Sequence, residues 1–64
     1  MKTLYDPKAD ALYVRFADGS IAESEEVADG VILDFDDKGK LVAIELLEVS
    51  KHVAAGATFP TAAE

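Results

Sequence analysis

Residues 29–47 read DGVILDFDDKGKLVAIELL, two apolar runs joined by a polar turn. Side chains alternate between the two faces of a strand, so every second residue shares a face. Each run then has one fully apolar side, formed by Val31, Leu33 and Phe35 in the first run and by Val42, Ile44 and Leu46 in the second. Residues 36–39 between them are typical of a type I turn closed by a left-handed glycine. This stretch predicts an antiparallel hairpin.

The chain before this hairpin shows the same alternation. Residues 11–16 place Leu12, Val14 and Phe16 on one side of a strand, and the other side is more polar. Residues 1–5 are a candidate edge strand that folds back onto this one. The alternation therefore predicts a strand with a core side ahead of the hairpin.

Two Asp-Gly pairs, at residues 18–19 and 29–30, favour two-residue hairpin turns because both positions tolerate a positive φ. They enclose a further strand from Ile21 to Val27. We therefore predict a mainly β (α+β) fold, an antiparallel β-meander of four to five strands with a short C-terminal helix.

The proposed helix begins after the last strand. Ser50 is a candidate N-cap for residues 51–55, and Gly56 is a typical C-terminal stop. The residues after Gly56 are mostly small, with one proline, and show no periodicity. We expect one small β-rich domain over residues 1–55 and a flexible tail over residues 56–64.

Tight turns at both Asp-Gly pairs create a register conflict. They place Phe16 opposite Ile21 and Val27 opposite Ile32, which would require both sides of one strand to face the core. A bulge in that strand, or a longer loop at one of the turns, removes the conflict. We expect the irregularity at Glu25-Glu26.

The second face of the predicted sheet is half apolar. It carries Tyr13, Arg15, Ile32, Asp34, Leu41, Ala43, Glu45 and Leu47. A helix of about six residues cannot cover four strands, and small domains without disulfides need further burial. We therefore expect a homo-oligomer, most simply a homodimer, or a strand added at an edge.

Charge is distributed unevenly along the chain. The 64 residues carry 13 acidic and 6 basic side chains, a formal charge of −7, and the segment from Asp18 to Asp37 holds eight acids and no Lys or Arg. Such a surface repels nucleic acid, which is bound mainly through Lys and Arg. It suits solubility or a basic protein partner.

The sequence contains few indications of the cellular compartment. The chain has no cysteine, which excludes disulfides and cysteine-based zinc sites. No apolar run reaches the roughly 18 residues of a membrane span, and the first residues lack a signal-peptide pattern. We expect a cytoplasmic location without membrane binding.

Three sets of residues are candidates for chemistry. Asp34, Asp36 and Asp37 offer oxygen ligands for Mg²⁺ or Ca²⁺, although aspartates at a turn also cap backbone N–H groups. Glu23, Glu25 and Glu26 are typical of solvated carboxylates on one strand. His52 has no nucleophile at a recognisable spacing and is expected to be an exposed helix residue. No catalytic residue, metal ligand or cofactor site is predicted.

Several motifs together resemble a known family. They are YDPKADALYV at residues 5–14, EEV at 25–27, GVILDFD at 30–36, and IELL at 44–47 with Ser50. This pattern resembles the prokaryotic domain-of-unknown-function family 2283 over residues 4 to about 51. The best-matching positions are Tyr5, Asp6, Asp10 and Tyr13, and the resemblance assigns no catalytic role to them.

The resemblance implies a small β-rich fold with a C-terminal helix. Because some similar proteins are encoded beside small toxin-like proteins, it also suggests an antitoxin role. From the residues themselves, Asp6 and Asp10 are expected to close the first turn, and Tyr13 to pack across the sheet.

Three functional classes remain open. The favoured one is a protein-interaction module, antitoxin-like in its sharpest form, that acts as a homo-oligomer and binds a basic protein. The alternatives are a structural domain without chemistry and a weak carboxylate metal-binding domain that uses Asp34, Asp36 and Asp37. An enzyme is disfavoured because no nucleophile and base pair is evident.

Overall fold

Five strands form one antiparallel sheet in a computed structural model, which describes residues 1–59. The strands are β1 (Lys2–Asp6), β2 (Ala11–Arg15), β3 (Glu23–Ala28), β4 (Val31–Phe35) and β5 (Leu41–Leu47). A single 3₁₀ turn, Val49–Lys51, follows β5. The prediction of a mainly β antiparallel fold is confirmed.

The strand order is β1-β2-β5-β4-β3. Strands β3, β4 and β5 form a three-stranded meander, but β2 pairs with β5 and not with β3. The order 2-5-4-3 is a Greek-key arrangement, in which a long connection returns the chain to lie beside a non-sequential neighbour. The predicted meander is therefore wrong between β2 and β3.

The segment that connects β2 to β3 is a loop and not a hairpin turn. The Arg15 guanidinium donates hydrogen bonds to the carbonyl oxygens of Ala17, at 2.8 Å, and Gly19. These contacts hold the chain after β2 in a crossover loop. Gly19 lacks the positive φ that a type I′ turn requires at both central residues. The first Asp-Gly pair is thus part of a loop and not a tight hairpin turn.

The crossover also removes the predicted register conflict. Since β2 and β3 do not pair, Phe16 has no partner in β3, and its side chain is 45% exposed instead of buried. The predicted irregularity is present in β3, where the register shifts between Glu26 and Ala28. The bulged residue is Val27, one position beyond the expected site.

The other two turns follow their sequences more closely. Gly30 and Gly39 both have φ +77°, and each closes a short connection between neighbouring strands. A Cβ at Gly30 would lie 3.0 Å from both the Leu47 carbonyl oxygen and the His52 ring, so space as well as backbone angle requires glycine there.

The two faces of the sheet are sorted as the alternation predicts, except beside the β4–β5 turn, where the register shifts between Asp34 and Phe35 and sets Phe35 opposite Leu41. We call the face with Leu12, Val14, Val31, Leu33, Ile44 and Leu46 the aliphatic face, because the register places these side chains together. We call the other the mixed face; it carries Leu4, Tyr13, Arg15, Ser24, Ile32, Asp34, Ala43, Glu45 and Leu47. Full burial is confined to a few side chains, and most of the aliphatic face is only half-buried.

The predicted C-terminal helix is wrong in the described part of the chain. Residues 49–51 form one 3₁₀ turn, closed by hydrogen bonds from Lys51 N–H to the Glu48 carbonyl and from His52 N–H to the Val49 carbonyl. A run this short is not stable as an isolated helix. Its position is fixed instead by Val49, which is 1% exposed.

The segment after this turn continues along the aliphatic side of β1. The Phe59 ring packs against Tyr5, with centroids 5.0 Å apart and planes tilted by 33°. Residues 60–64 of the predicted flexible tail lie outside the described residues.

Asp10 joins the β1–β2 turn to the 3₁₀ turn. Its carboxylate accepts hydrogen bonds from the Ser50 hydroxyl at 2.7 Å and from the Ser50 backbone N–H at 3.2 Å. The Asp10 carbonyl also accepts a bond from Val49 N–H at 2.9 Å. Asp6 closes the first turn as predicted, accepting from Lys8 N–H, whereas Asp10 reaches across 40 residues.

We predict that Asp10→Ala lowers the free energy of unfolding by about 2 kcal/mol, because Ser50 loses a charged acceptor. Alanine is also disfavoured at φ +53°. Asp10→Asn is the matched control: it keeps an acceptor oxygen and tolerates the left-handed conformation, so it should cost clearly less. Urea denaturation measures both, and equal losses would contradict the role of the carboxylate.

Candidate functional site

Strand β3 forms one edge of the sheet and is exposed at every residue. It carries Glu23, Glu25 and Glu26, and the register sends Glu25 and Glu26 to opposite faces. Within residues 1–59 neither Glu23 nor Glu25 forms an ion pair with Lys or Arg. The result is an open strand edge with negative charge on both sides.

Glu26 also has a structural role. Its carboxylate accepts a hydrogen bond from Gly30 N–H at 2.9 Å across the β3–β4 turn. The imidazole of His52 reaches the same turn, with Nε2 donating to the Asp29 carbonyl at 2.8 Å. His52 is exposed, as predicted, but it lies in a turn and not in a helix, and it links the C-terminal segment to this end of β3. Sequence reasoning could not find this contact because 23 residues separate the two groups.

A buried carboxyl pair lies next to β3 on the mixed face. Asp34 is fully buried, and its Oδ1 accepts a hydrogen bond from Ser24 Oγ at 2.5 Å. Its Oδ2 has no protein donor among the described residues when Glu45 is ionised. A hydrogen bond with Asp34, together with burial and the Asp34 charge, raises the pKa of Glu45 above its ordinary value. A proton on Glu45 supplies the donor that Asp34 otherwise lacks.

The strand register brings these two acids together. Ile32 lies opposite Glu45, and Asp34 lies opposite Ala43, so Asp34 and Glu45 are diagonal neighbours on the mixed face. Tyr13 lies opposite Glu45 on its other side, and its hydroxyl accepts a hydrogen bond from Arg15 at 2.9 Å. This polar row contains no nucleophile paired with a base, so we assign it a structural role.

The three aspartates considered for a metal do not form one site. Asp34 is buried against Ser24, whereas Asp36 accepts backbone hydrogen bonds from Lys38, at 2.9 Å, and Lys40, at 2.8 Å. Throughout the described residues, no group of three or more His, Cys, Asp or Glu side chains is arranged to hold a metal ion. The capping role explains Asp36 without a cation.

An apolar groove lies at the β1 side of the mixed face. It is open to solvent, has a volume of about 200 Å³, and is bordered by Leu4, Ala11, Tyr13, Glu45 and Leu47. Leu4 and Leu47 are 49% and 43% exposed. The predicted half-apolar second face is therefore partly open to solvent, and β1 forms the sheet edge beside it.

Comparison with known families matches residues 2–50 to the model described as "Protein of unknown function (DUF2283)". The chain belongs to this family. The matched segment of this DUF2283 member spans all five strands and includes both Asp10 and Ser50. No curated protein and no solved structure matches the chain. Among its described residues, the DUF2283 protein has no helix long and apolar enough to cross a membrane.

Family membership agrees with the resemblance noted from the sequence. Two of the motif positions in this DUF2283 chain are hydrogen-bond acceptors. Asp6 accepts from the Lys8 N–H, and Asp10 accepts from the Ser50 hydroxyl. Tyr5 packs against Phe59, and Tyr13 accepts from Arg15. All four residues therefore have structural contacts that account for them.

We predict that Glu45→Gln changes the pH dependence of stability. Because the pKa of Glu45 is raised in the folded chain, the folded chain holds the Glu45 proton to a higher pH than the unfolded chain. The free energy of unfolding that this proton contributes is complete at low pH and decreases as the pH rises through the raised pKa. Glutamine keeps an N–H donor for Asp34 and cannot ionise. The melting temperature of Glu45→Gln should exceed that of the wild type near pH 7, and the two should converge near pH 4.

Thermal melts across this pH range, followed by circular dichroism, measure the effect. Glu25→Gln is the control, because it makes the same change on the exposed strand β3. A difference between Glu45→Gln and the wild type that is independent of pH would contradict the shared proton.

Proposed function

We propose that this DUF2283 protein is a protein-interaction module that binds a basic protein along β3 and acts as a homo-oligomer in the cytoplasm. The proposal is based on strand β3. This strand lies at an edge of the sheet, is exposed at all six residues, and contains three glutamates and no basic residue. An unpaired strand edge offers N–H and C=O groups to an incoming strand.

Charge supports a basic occupant. Acids also flank β3, with Asp18 in the crossover loop and Asp29 in the following turn, both exposed. Asp34 is buried and adds nothing to this surface. A strand that carries Lys or Arg on both sides would meet Glu23 and Glu25 on one face of the sheet and Glu26 on the other.

The same charges disfavour pairing of β3 with β3 of a second copy. Every antiparallel register that overlaps at least five of the six β3 residues brings glutamate opposite glutamate, and like charges directly opposite each other are destabilising. Natural proteins protect strand edges from self-association in this way. The edge therefore selects for an oppositely charged strand.

The specific form of the proposal is an antitoxin-like role, in which the basic partner is a small toxin. The support is the resemblance of this chain to proteins of which some are encoded beside small toxin-like proteins, together with the acidic edge. Strand addition would cover a partner segment with main-chain hydrogen bonds, and the glutamates would set the specificity.

We predict that the protein retains a basic protein from a lysate of its own cells at low salt, and that the double variant Glu23→Gln/Glu25→Gln retains clearly less of it. Neither glutamate has an intramolecular ion pair to break within the described chain, so the fold should be unaffected. Exposed ion pairs each contribute about 0.2–1 kcal/mol, so the affinity of the isolated complex should fall several-fold and weaken with salt.

Glu48→Gln is the charge control, because it removes a negative charge outside β3, and the Glu48–Lys51 ion pair that it breaks is exposed and contributes little to the fold. It should retain the partner. Recovery of no basic protein, or equal recovery with the double variant, would refute the proposed function.

A further inference from the structure

Strand β1 forms the opposite edge of the sheet, and within the described residues its outer side has no strand neighbour. Unlike β3, it carries one basic and one acidic residue at its two ends, Lys2 and Asp6, with Leu4 midway between them. We propose that a second copy of the chain pairs antiparallel with β1 about a two-fold axis at Leu4. This inference rests on the proposed homo-oligomer and assigns its interface.

The sequence of β1 is self-complementary in this register. Placing Leu4 opposite Leu4 of the second copy brings Lys2 opposite Asp6 of that copy, and the two-fold axis repeats this pair at the other end. Opposite charges and apolar pairs directly across two strands are stabilising. The side chains of all three residues lie on one face, because they alternate with Thr3 and Tyr5.

The surroundings of Lys2 within one protomer favour the same arrangement. The β1–β2 register places Lys2 opposite Arg15, a pair of like charges. No carboxylate of the described residues forms an ion pair with Lys2. In the dimer, a carboxylate of the second copy lies on the free side of Lys2 and offsets the Arg15 charge.

The alternative edge pairings are less favourable. Pairing of β3 with itself sets glutamates against one another, as argued above. Pairing of β1 with β3 of another copy is heterologous, leaves an open edge at each end and would grow into filaments. Pairing of β1 with β1 closes into a dimer, a continuous sheet made of two five-stranded halves whose two outer edges are both β3.

The interface also covers exposed apolar surface. Leu4 is 49% exposed at the border of the groove on the mixed face. In the dimer, the two Leu4 side chains meet at the axis. A pairing of two short strands is smaller than a standard protein interface, so we expect dissociation in about the micromolar range.

Analytical ultracentrifugation over a wide concentration range tests the inference. The wild type should be in monomer–dimer equilibrium. Leu4→Lys should be monomeric, because it places two lysines face to face at the axis. Leu47→Lys is the matched control: Leu47 has similar exposure on the same face but belongs to the interior strand β5, so this variant should still dimerise.

Charge variants at Lys2 and Asp6 distinguish the proposed β1–β1 register from a general effect on the stability of the fold. Lys2→Glu should weaken the dimer by about tenfold or more, since the new carboxylate of each copy faces Asp6 of the other. The melting temperature of this variant at high dilution should not fall, because the same carboxylate lies opposite Arg15. Adding Asp6→Asn removes the repulsion and keeps the turn acceptor, so the double variant should recover much of the dimer.

A wild type that remains monomeric at all concentrations would overturn the inference, as would equal loss of the dimer in Leu4→Lys and Leu47→Lys, or no recovery in the double variant. These outcomes are separate from the test of β3. Monomeric Leu4→Lys should still retain the basic partner, and Glu23→Gln/Glu25→Gln should still dimerise.

Discussion

The pairing of β2 with β5 is the interaction on which the rest of the structure depends. It joins the β1–β2 hairpin to the β3–β5 meander, and the pairs Leu12–Leu46 and Val14–Ile44 lie within it. Val42 and Ala43, two of the most deeply buried side chains, belong to β5. Without this pairing the chain would contain two separate pieces, and the two-stranded β1–β2 hairpin would be too small to be stable alone.

This pairing also determines which strands are edges. Because β5 takes the position beside β2, β3 is displaced to one side of the sheet and β1 to the other. The first edge is strongly acidic and the second carries balanced charges. A single-layer sheet cannot avoid having two edges, and in this protein the two differ in the kind of strand that each can accept.

Local features of the fold could be predicted from the sequence, whereas long-range features could not. The β4–β5 hairpin and the sorting of side chains between two faces follow from alternation and from Gly39. The β2–β5 pairing joins residues that are distant in sequence, and the Asp-Gly pair at residues 18–19 gives no sign of the crossover loop that permits it. The 3₁₀ turn likewise depends on Asp10, which is distant in sequence from Ser50.

The candidate site shows the same division. The acidic character of β3 is evident in the sequence, but its position at an edge is not. Alternation places Asp34 and Glu45 on the same face, but their diagonal arrangement depends on the register between β4 and β5. The role of His52 at the β3–β4 turn arises only when the C-terminal segment folds back over the end of the sheet.

The strand order determines both the fold and the exposed edges of the sheet, and backbone NMR can test it. We expect nuclear Overhauser contacts between the backbone protons of Val14 and Ile44, and between those of Leu12 and Leu46. We expect none between β2 and β3. Contacts between β2 and β3 would show a continuous meander in which β3 is not an edge, and they would contradict both the fold and the binding surface built on it.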